Sequence, residues 1–114
     1  MVLVDGVYRH SCSGGRFNQP GYAIGAASCA GPLGPCADTS AAPFLASNQQ
    51  GAGPGEESVF RDRWGIWLLY TPFHSDVPHP TPPPPVAMVR LGFGPLGPYV
   101  ASFSPPLGVA GRPA

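Results

Sequence analysis

Sixteen glycines and seventeen prolines punctuate these 114 residues, and their placement limits the fold more than any other feature. Inside a helix, glycine costs about 1 kcal/mol relative to alanine and proline about 3 kcal/mol. No ten-residue stretch keeps the helical period of apolar residues. Between the breaks lie short runs rich in β-branched and aromatic residues, among them Val7-Tyr8-Arg9-His10 and Ile66-Trp67-Leu68-Leu69-Tyr70. Glycine and proline at this density also mark low-complexity disorder. Against disorder, 43% of residues are hydrophobic and 11% aromatic, while only 11% are charged. A disordered chain shows the reverse balance. The expectation is a turn-rich, all-β domain over residues 1–104 and a disordered tail over 105–114.

Asp5-Gly6 separates Val2-Leu3-Val4 from Val7–Cys12. An Asp-Gly pair between β-rich runs signals a tight hairpin, because both central turn positions want φ > 0. The two-residue period then puts Tyr8, His10 and Cys12 on one face and Val7, Arg9 and Ser11 on the other. A Gly-rich loop, Ser13–Gly21, leads to a small-residue strand, Tyr22–Cys29, closed by a turn over Ala30–Pro35. Residues 46–57 read as a long polar loop. Ser58–Arg61 and Ile66–Tyr70 flank Asp62–Gly65 as a second hairpin, in which Trp67 reads as core and Trp64 as exposed. A strand over Val86–Phe93 places Val89, Leu91 and Phe93 on one face, and Gly94–Gly97 turns the chain into Pro98–Phe103. Six prolines between Pro78 and Pro85 exclude a central strand there and predict an extended surface loop. The sum is two groups of roughly four short antiparallel strands, a pattern shared by sandwiches, barrels and propellers.

Formal net charge is zero, and all six basic residues are arginine. No three of them cluster, so the chain lacks the electrostatic footprint of a nucleic-acid or anionic-membrane binder. No apolar run approaches the ~20 residues that span a bilayer. Met1–Gly6 has neither a basic segment nor a long apolar one, so it does not read as a signal peptide. It reads as the middle of a strand that turns at once, as expected of a truncated gene or an internal start.

Several motifs occur in an order that resembles one family. They are Asp5-Gly-Val-Tyr8, Ser13-Gly-Gly-Arg-Phe17, Tyr22-Ala-Ile-Gly-Ala-Ala-Ser28, Gly31-Pro-Leu-Gly-Pro-Cys36, Pro43-Phe-Leu45, Ala52-Gly-Pro-Gly-Glu-Glu-Ser-Val-Phe60 and Trp64-Gly-Ile-Trp-Leu-Leu-Tyr70. Together they are similar to the latter part of glycoside hydrolase family 43, the arabinanase and β-xylosidase group, over about residues 1–103. The resemblance implies a five-bladed β-propeller of four-stranded antiparallel blades, of which this chain would supply about two. It implies action on arabinose- or xylose-containing polysaccharide and an extracellular full-length parent. The family hydrolyses its substrate with two carboxylates flanking the glycosidic bond and a third that tunes the acid. All three lie in earlier blades, and none maps onto this chain, so the isolated chain is expected to be inactive. Two further departures are Tyr70-Thr71-Pro72, where the family has Tyr-His, and Pro84-Pro85, where it has an Arg opening the next strand. A small secreted β-rich carbohydrate-binding or interaction module is the alternative reading.

By the same resemblance the Ser13–Gly21 loop borders the sugar pocket, which makes Arg16, Phe17 and Asn18 the candidate substrate contacts. Glu56 stands where many members carry a His that reaches the propeller axis. It reads either as a ligand for Ca²⁺ in the full-length parent or as an exposed loop acid; no other cofactor is implied. The family is largely exported, which favours a Cys29–Cys36 disulfide around the Gly31–Pro35 turn. Cys12, beside Tyr8 and His10, reads as a small packed hydrophobe. The three His and three Cys match no common zinc spacing, and Asp5 and Asp62 read as turn residues.

Overall fold

The computed structural model describes residues 1–17, 19–39, 42–48, 51–72 and 86–103. Two four-stranded sheets account for them. The first contains β1 (Val2–Val4), β2 (Val7–Gly14), β3 (Ala23–Cys29) and β4 (Cys36–Asp38). The second contains β5 (Gly55–Asp62), β6 (Gly65–Thr71), β7 (Ala87–Gly94) and β8 (Gly97–Phe103). In both, spatial order follows chain order and every pairing is antiparallel. There is no helix among the described residues. A Greek-key sandwich returns its fourth strand beside the first; two successive up-and-down meanders are instead how propeller blades are built. The all-β, blade-like expectation therefore holds.

The hairpin chemistry is as the sequence dictates. Asp5 and Gly6 both take positive φ, 50° and 79°, which sets the register Val4↔Val7 and Val2↔Arg9. The second hairpin is fixed by one atom. Asp62 Oδ1 accepts from the backbone N–H of Trp64 (2.8 Å) and Gly65 (3.1 Å) and from Trp67 Nε1 (2.9 Å). Three donors on one carboxylate oxygen stabilise its charged form, the Trp67 indole most of all, and hold the Asp62 carboxyl below its ordinary range.

The core is the seam between the sheets. Ile24 and Leu45 from the first sheet meet Leu68, Tyr70, Ala87, Val89 and Leu91 from the second, all buried. Leu45 is pinned beside β3 by Ile24 N–H donating to its carbonyl (2.8 Å), and Phe44 N–H donates back to the Ile24 carbonyl (3.0 Å). Arg9 enters the seam from β2, with its guanidinium 5.8 Å from the Phe93 ring centroid. Burial raises the Tyr70 phenol above its usual range.

Several expectations need correction. Trp67 is buried as expected, but on the face of β6 opposite Leu68 and Tyr70, outside the inter-sheet cluster. Its cover is Arg90, 5.7 Å from the ring centroid, together with the Asp62 carboxylate. Cys12 is exposed rather than packed, because the residue opposite it in the register is Gly25, which has no side chain to cover it. Strand β5 begins at Gly55, inside the stretch expected to be loop, and β4 occupies Cys36–Asp38, where the sequence specifies no strand. The Pro78–Pro85 stretch, His74, Asp76, His79 and the 105–114 tail lie outside the described residues.

Candidate functional site

Antiparallel alternation sends the β1–β2 and β5–β6 turns to one end of the sheets and the β2–β3 loop with the start of β5 to the other. The Arg16 and Phe17 candidates sit at this second end. Gly15, at φ 95°, turns the chain out of β2, and a Cβ there would lie 3.2 Å from the Gly21 carbonyl oxygen. Two turn bonds compact the loop: Gln19 N–H to the Arg16 carbonyl and Tyr22 N–H to the Gln19 carbonyl, both 3.1 Å. Arg16 and Phe17 project outward, Phe17 being 62% exposed. An exposed phenylalanine offers an apolar plate, and a guanidinium five donors, which suits a hydroxyl-rich ring. Asn18 lies outside the described residues.

The loop rests on the Ser47–Glu57 segment. Ser47 Oγ donates to the Pro20 carbonyl (2.5 Å) and accepts from Gly53 N–H (2.9 Å). Gly53 takes φ 69° and approaches so closely that a Cβ would lie 2.6 Å from the Gln19 carbonyl oxygen. At Gly55 a Cβ would fall 2.0 Å from Cε2 of Tyr22. The Gly-Pro-Gly triplet is thus a seat cut to the shape of the loop and the Tyr22 ring.

Strand β5 then bulges. From Gly55 to Ser58 it advances three residues, while its partner steps only from Thr71 to Leu69. Glu56 takes up the irregularity with φ 55°. Non-glycine residues in this region are uncommon, and bulges recur where a strand re-aims side chains near a site. Ser13, the last side chain of β2, closes the gap: its Oγ donates to the Glu57 carboxylate and accepts from Glu56 N–H (3.1 Å). Glu57 is thereby turned to the seam and half-buried, while Glu56 is exposed.

The structure therefore brings the Arg16–Phe17 loop and the Glu56 bulge to one end through Ser13, Tyr22 and Ser47. Ser13 and Tyr22 stand in the sequence motifs with no contact implied for them, and Ser47 carries no motif at all. The only cue for them is that a Gly-Pro-Gly triplet calls for something packed against it. Among the described residues, no three His, Cys, Asp or Glu come together to hold a metal ion. Calcium takes six to eight oxygens, so Glu56 would be one ligand among others supplied from elsewhere. Cys29 and Cys36, opposite each other in the β3–β4 register, form a disulfide at the outer edge of the first sheet.

The same arrangement of sheets occurs in a crystal structure of a thermostable family-43 glycoside hydrolase, with a TM-score of 0.71 and 24% sequence identity. The match covers 98% of this chain and 36% of that one, so the chain spans about a third of its neighbour's length. No protein-family model and no curated protein matches the chain. The likeness is one of fold.

Proposed function

We propose that the chain forms two neighbouring blades of a family-43-like glycoside hydrolase and walls one side of its sugar cleft. The observation that carries this is the pair of in-order meanders, superposable over 98% of the chain on a hydrolase of that family. The substrate class is an arabinose- or xylose-containing polysaccharide. Arg16, Phe17 and Asn18 contact the sugar, and Glu56 stands near the propeller axis as one ligand of a calcium ion that other blades help to hold. The disulfide fits an exported protein folded in an oxidising compartment.

In this reading the chain contributes binding rather than bond cleavage. Glycoside hydrolysis needs two free carboxyls facing each other at about 5–9.5 Å. Among the described carboxylates, Asp62 holds a hairpin, Glu57 is engaged by Ser13, Asp5 sits in the turn at the opposite end, Asp38 lies on the edge strand β4, and Glu56 is a cation ligand in this reading. The chain alone should release no nitrophenol from nitrophenyl arabinofuranoside or xyloside. It should bind arabino- or xylo-oligosaccharide weakly, and Phe17→Ala with Arg16→Ala should abolish loop-end binding. Turnover by the purified chain, lost in Glu56→Gln, would overturn this reading. The alternative, a stand-alone secreted carbohydrate-binding or interaction module, draws support from a core that, among the described residues, packs between the chain's own two sheets.

A further inference from the structure

At the end of the sheets remote from the Arg16 loop lies an open groove of about 410 Å³ between the two hairpin tips. Val4 and Asp5 of the β1–β2 turn form one wall, and Arg61, Arg63 and Trp64 of the β5–β6 hairpin form the other. Strand β5 separates the Glu56 bulge from Arg61, where the groove begins, by about 17 Å at ~3.3 Å per residue.

Trp64 is 59% exposed, which puts a large apolar plate in water. It is nevertheless held. Its own N–H and that of Gly65 donate to Asp62 Oδ1, fixing the turn from which the indole projects. The Arg63 guanidinium lies 4.0 Å from the ring centroid, steadying the indole from one side. Arg61 is held in turn, its Nη2 donating to the Leu3 carbonyl across the gap between the sheets. The groove thus joins a preorganised aromatic wall to fixed guanidinium donors and a carboxylate acceptor. Its charges are mixed in sign, so it does not select an anion or a cation. A neutral polyhydroxylated ring fits all three elements: its C–H face covers an indole, and its hydroxyls donate to Asp5 and accept from Arg63.

We propose that this groove is a second saccharide-binding site, separate from the loop end, that holds another stretch of the same neutral glycan. The glycan class rests on the function proposed above, but the site itself rests on the groove. The test is a titration of the ¹⁵N-labelled full chain with linear arabinohexaose and, separately, xylohexaose. The readouts are the Trp64 indole N–H and the backbone amides of Gly14–Gly21, Pro20 having none. The Trp64 signal should shift saturably with at least one of the two sugars. Trp64→Ala should weaken that binding about tenfold or more, as truncation of a central tryptophan commonly does, and Arg63→Ala should weaken it less. Both substitutions lie on an exposed turn, and an unchanged thermal midpoint confirms that the fold is intact.

If the loop amides move and the Trp64 indole does not, the second site is refuted and the proposed function stands. If the indole moves alone, the second site stands and the loop-end cleft is refuted. If neither moves at millimolar sugar, both readings fall.

Discussion

Replacing Ile24 with alanine asks whether the two sheets are one cooperative unit. Ile24 is fully buried and is the principal contribution of β3 to the seam, against Leu68, Val89 and Leu45. The change removes three side-chain carbons. At ~0.8 kcal/mol per buried carbon the transfer loss is about 2.4 kcal/mol, and the unfilled space raises it to about 3–4 kcal/mol. For a chain of this size that is a large part of a typical stability of 5–15 kcal/mol, and it corresponds to a fall in Tm of roughly 10–15 °C. The assay exploits the position of the probes. Trp67 lies in β6 and Trp64 in the β5–β6 turn, both on the second sheet's side of the seam, whereas the substitution is in the first sheet. Urea unfolding followed by tryptophan fluorescence should therefore move to lower midpoint by the full amount, in step with far-UV circular dichroism. Ile24→Val should cost only about 0.5–1.5 kcal/mol. A tryptophan transition that stays in place while the dichroism transition splits would refute the reasoning, because the seam would then not couple the sheets.

Two further outcomes follow from single contacts. Gly55→Ala drives a methyl to within 2.0 Å of the Tyr22 ring and should destabilise by about 1–3 kcal/mol. The same change made in a Tyr22→Ala background should cost much less, and strict additivity in that double-mutant cycle would show that the ring does not occupy the seat. Asp62 has a carboxyl held below its ordinary range, chiefly by the Trp67 indole. Its contribution is complete above the unfolded-state pKa of about 4 and is lost as pH falls through the lower folded value. Thermal midpoints of the native chain and of Asp62→Asn should accordingly differ at pH 6 and converge towards pH 2–3, and a constant gap over that range would contradict the assignment.

Local chemistry was legible where one residue type has one physical use. Asp5-Gly6 could be read as a turn because few other pairs tolerate two successive positive φ values, and Val89, Leu91 and Phe93 share a face because alternation demands it. The seam was harder to see. Trp67 and Leu68 are neighbours of similar apolarity, and nothing local says which side of β6 meets the first sheet. Size favours Trp67 as core, but the pairing Leu68↔Val89 puts the smaller side chains in the seam, and an Asp five residues earlier on the chain caps the indole from the other side. Cys12, expected to pack, is exposed for a related reason: its burial depends on what stands opposite, and Gly25 covers nothing.

The site end shows the same limit more sharply. Glu56-Glu57 reads in sequence as a pair of equivalent loop acids. The extra residue on β5 makes them unlike. With three steps taken against two on β6, Glu56 N–H leaves the ladder and finds Ser13 Oγ, and that hydroxyl in turn takes the Glu57 carboxylate. One serine on another strand thus assigns one acid to the seam and leaves the other exposed beside the loop. Local propensity carries no information about that division, because it is set by a contact between residues 43 apart for Glu56 and 44 apart for Glu57. The Gly-Pro-Gly triplet is the one sequence trace of it, since side chains at 53 and 55 would collide with the β2–β3 loop. Of the two acids it is thus Glu56 that stands exposed beside the Arg16–Phe17 loop, while Ser13 holds Glu57 towards the seam and fixes the Glu56 backbone.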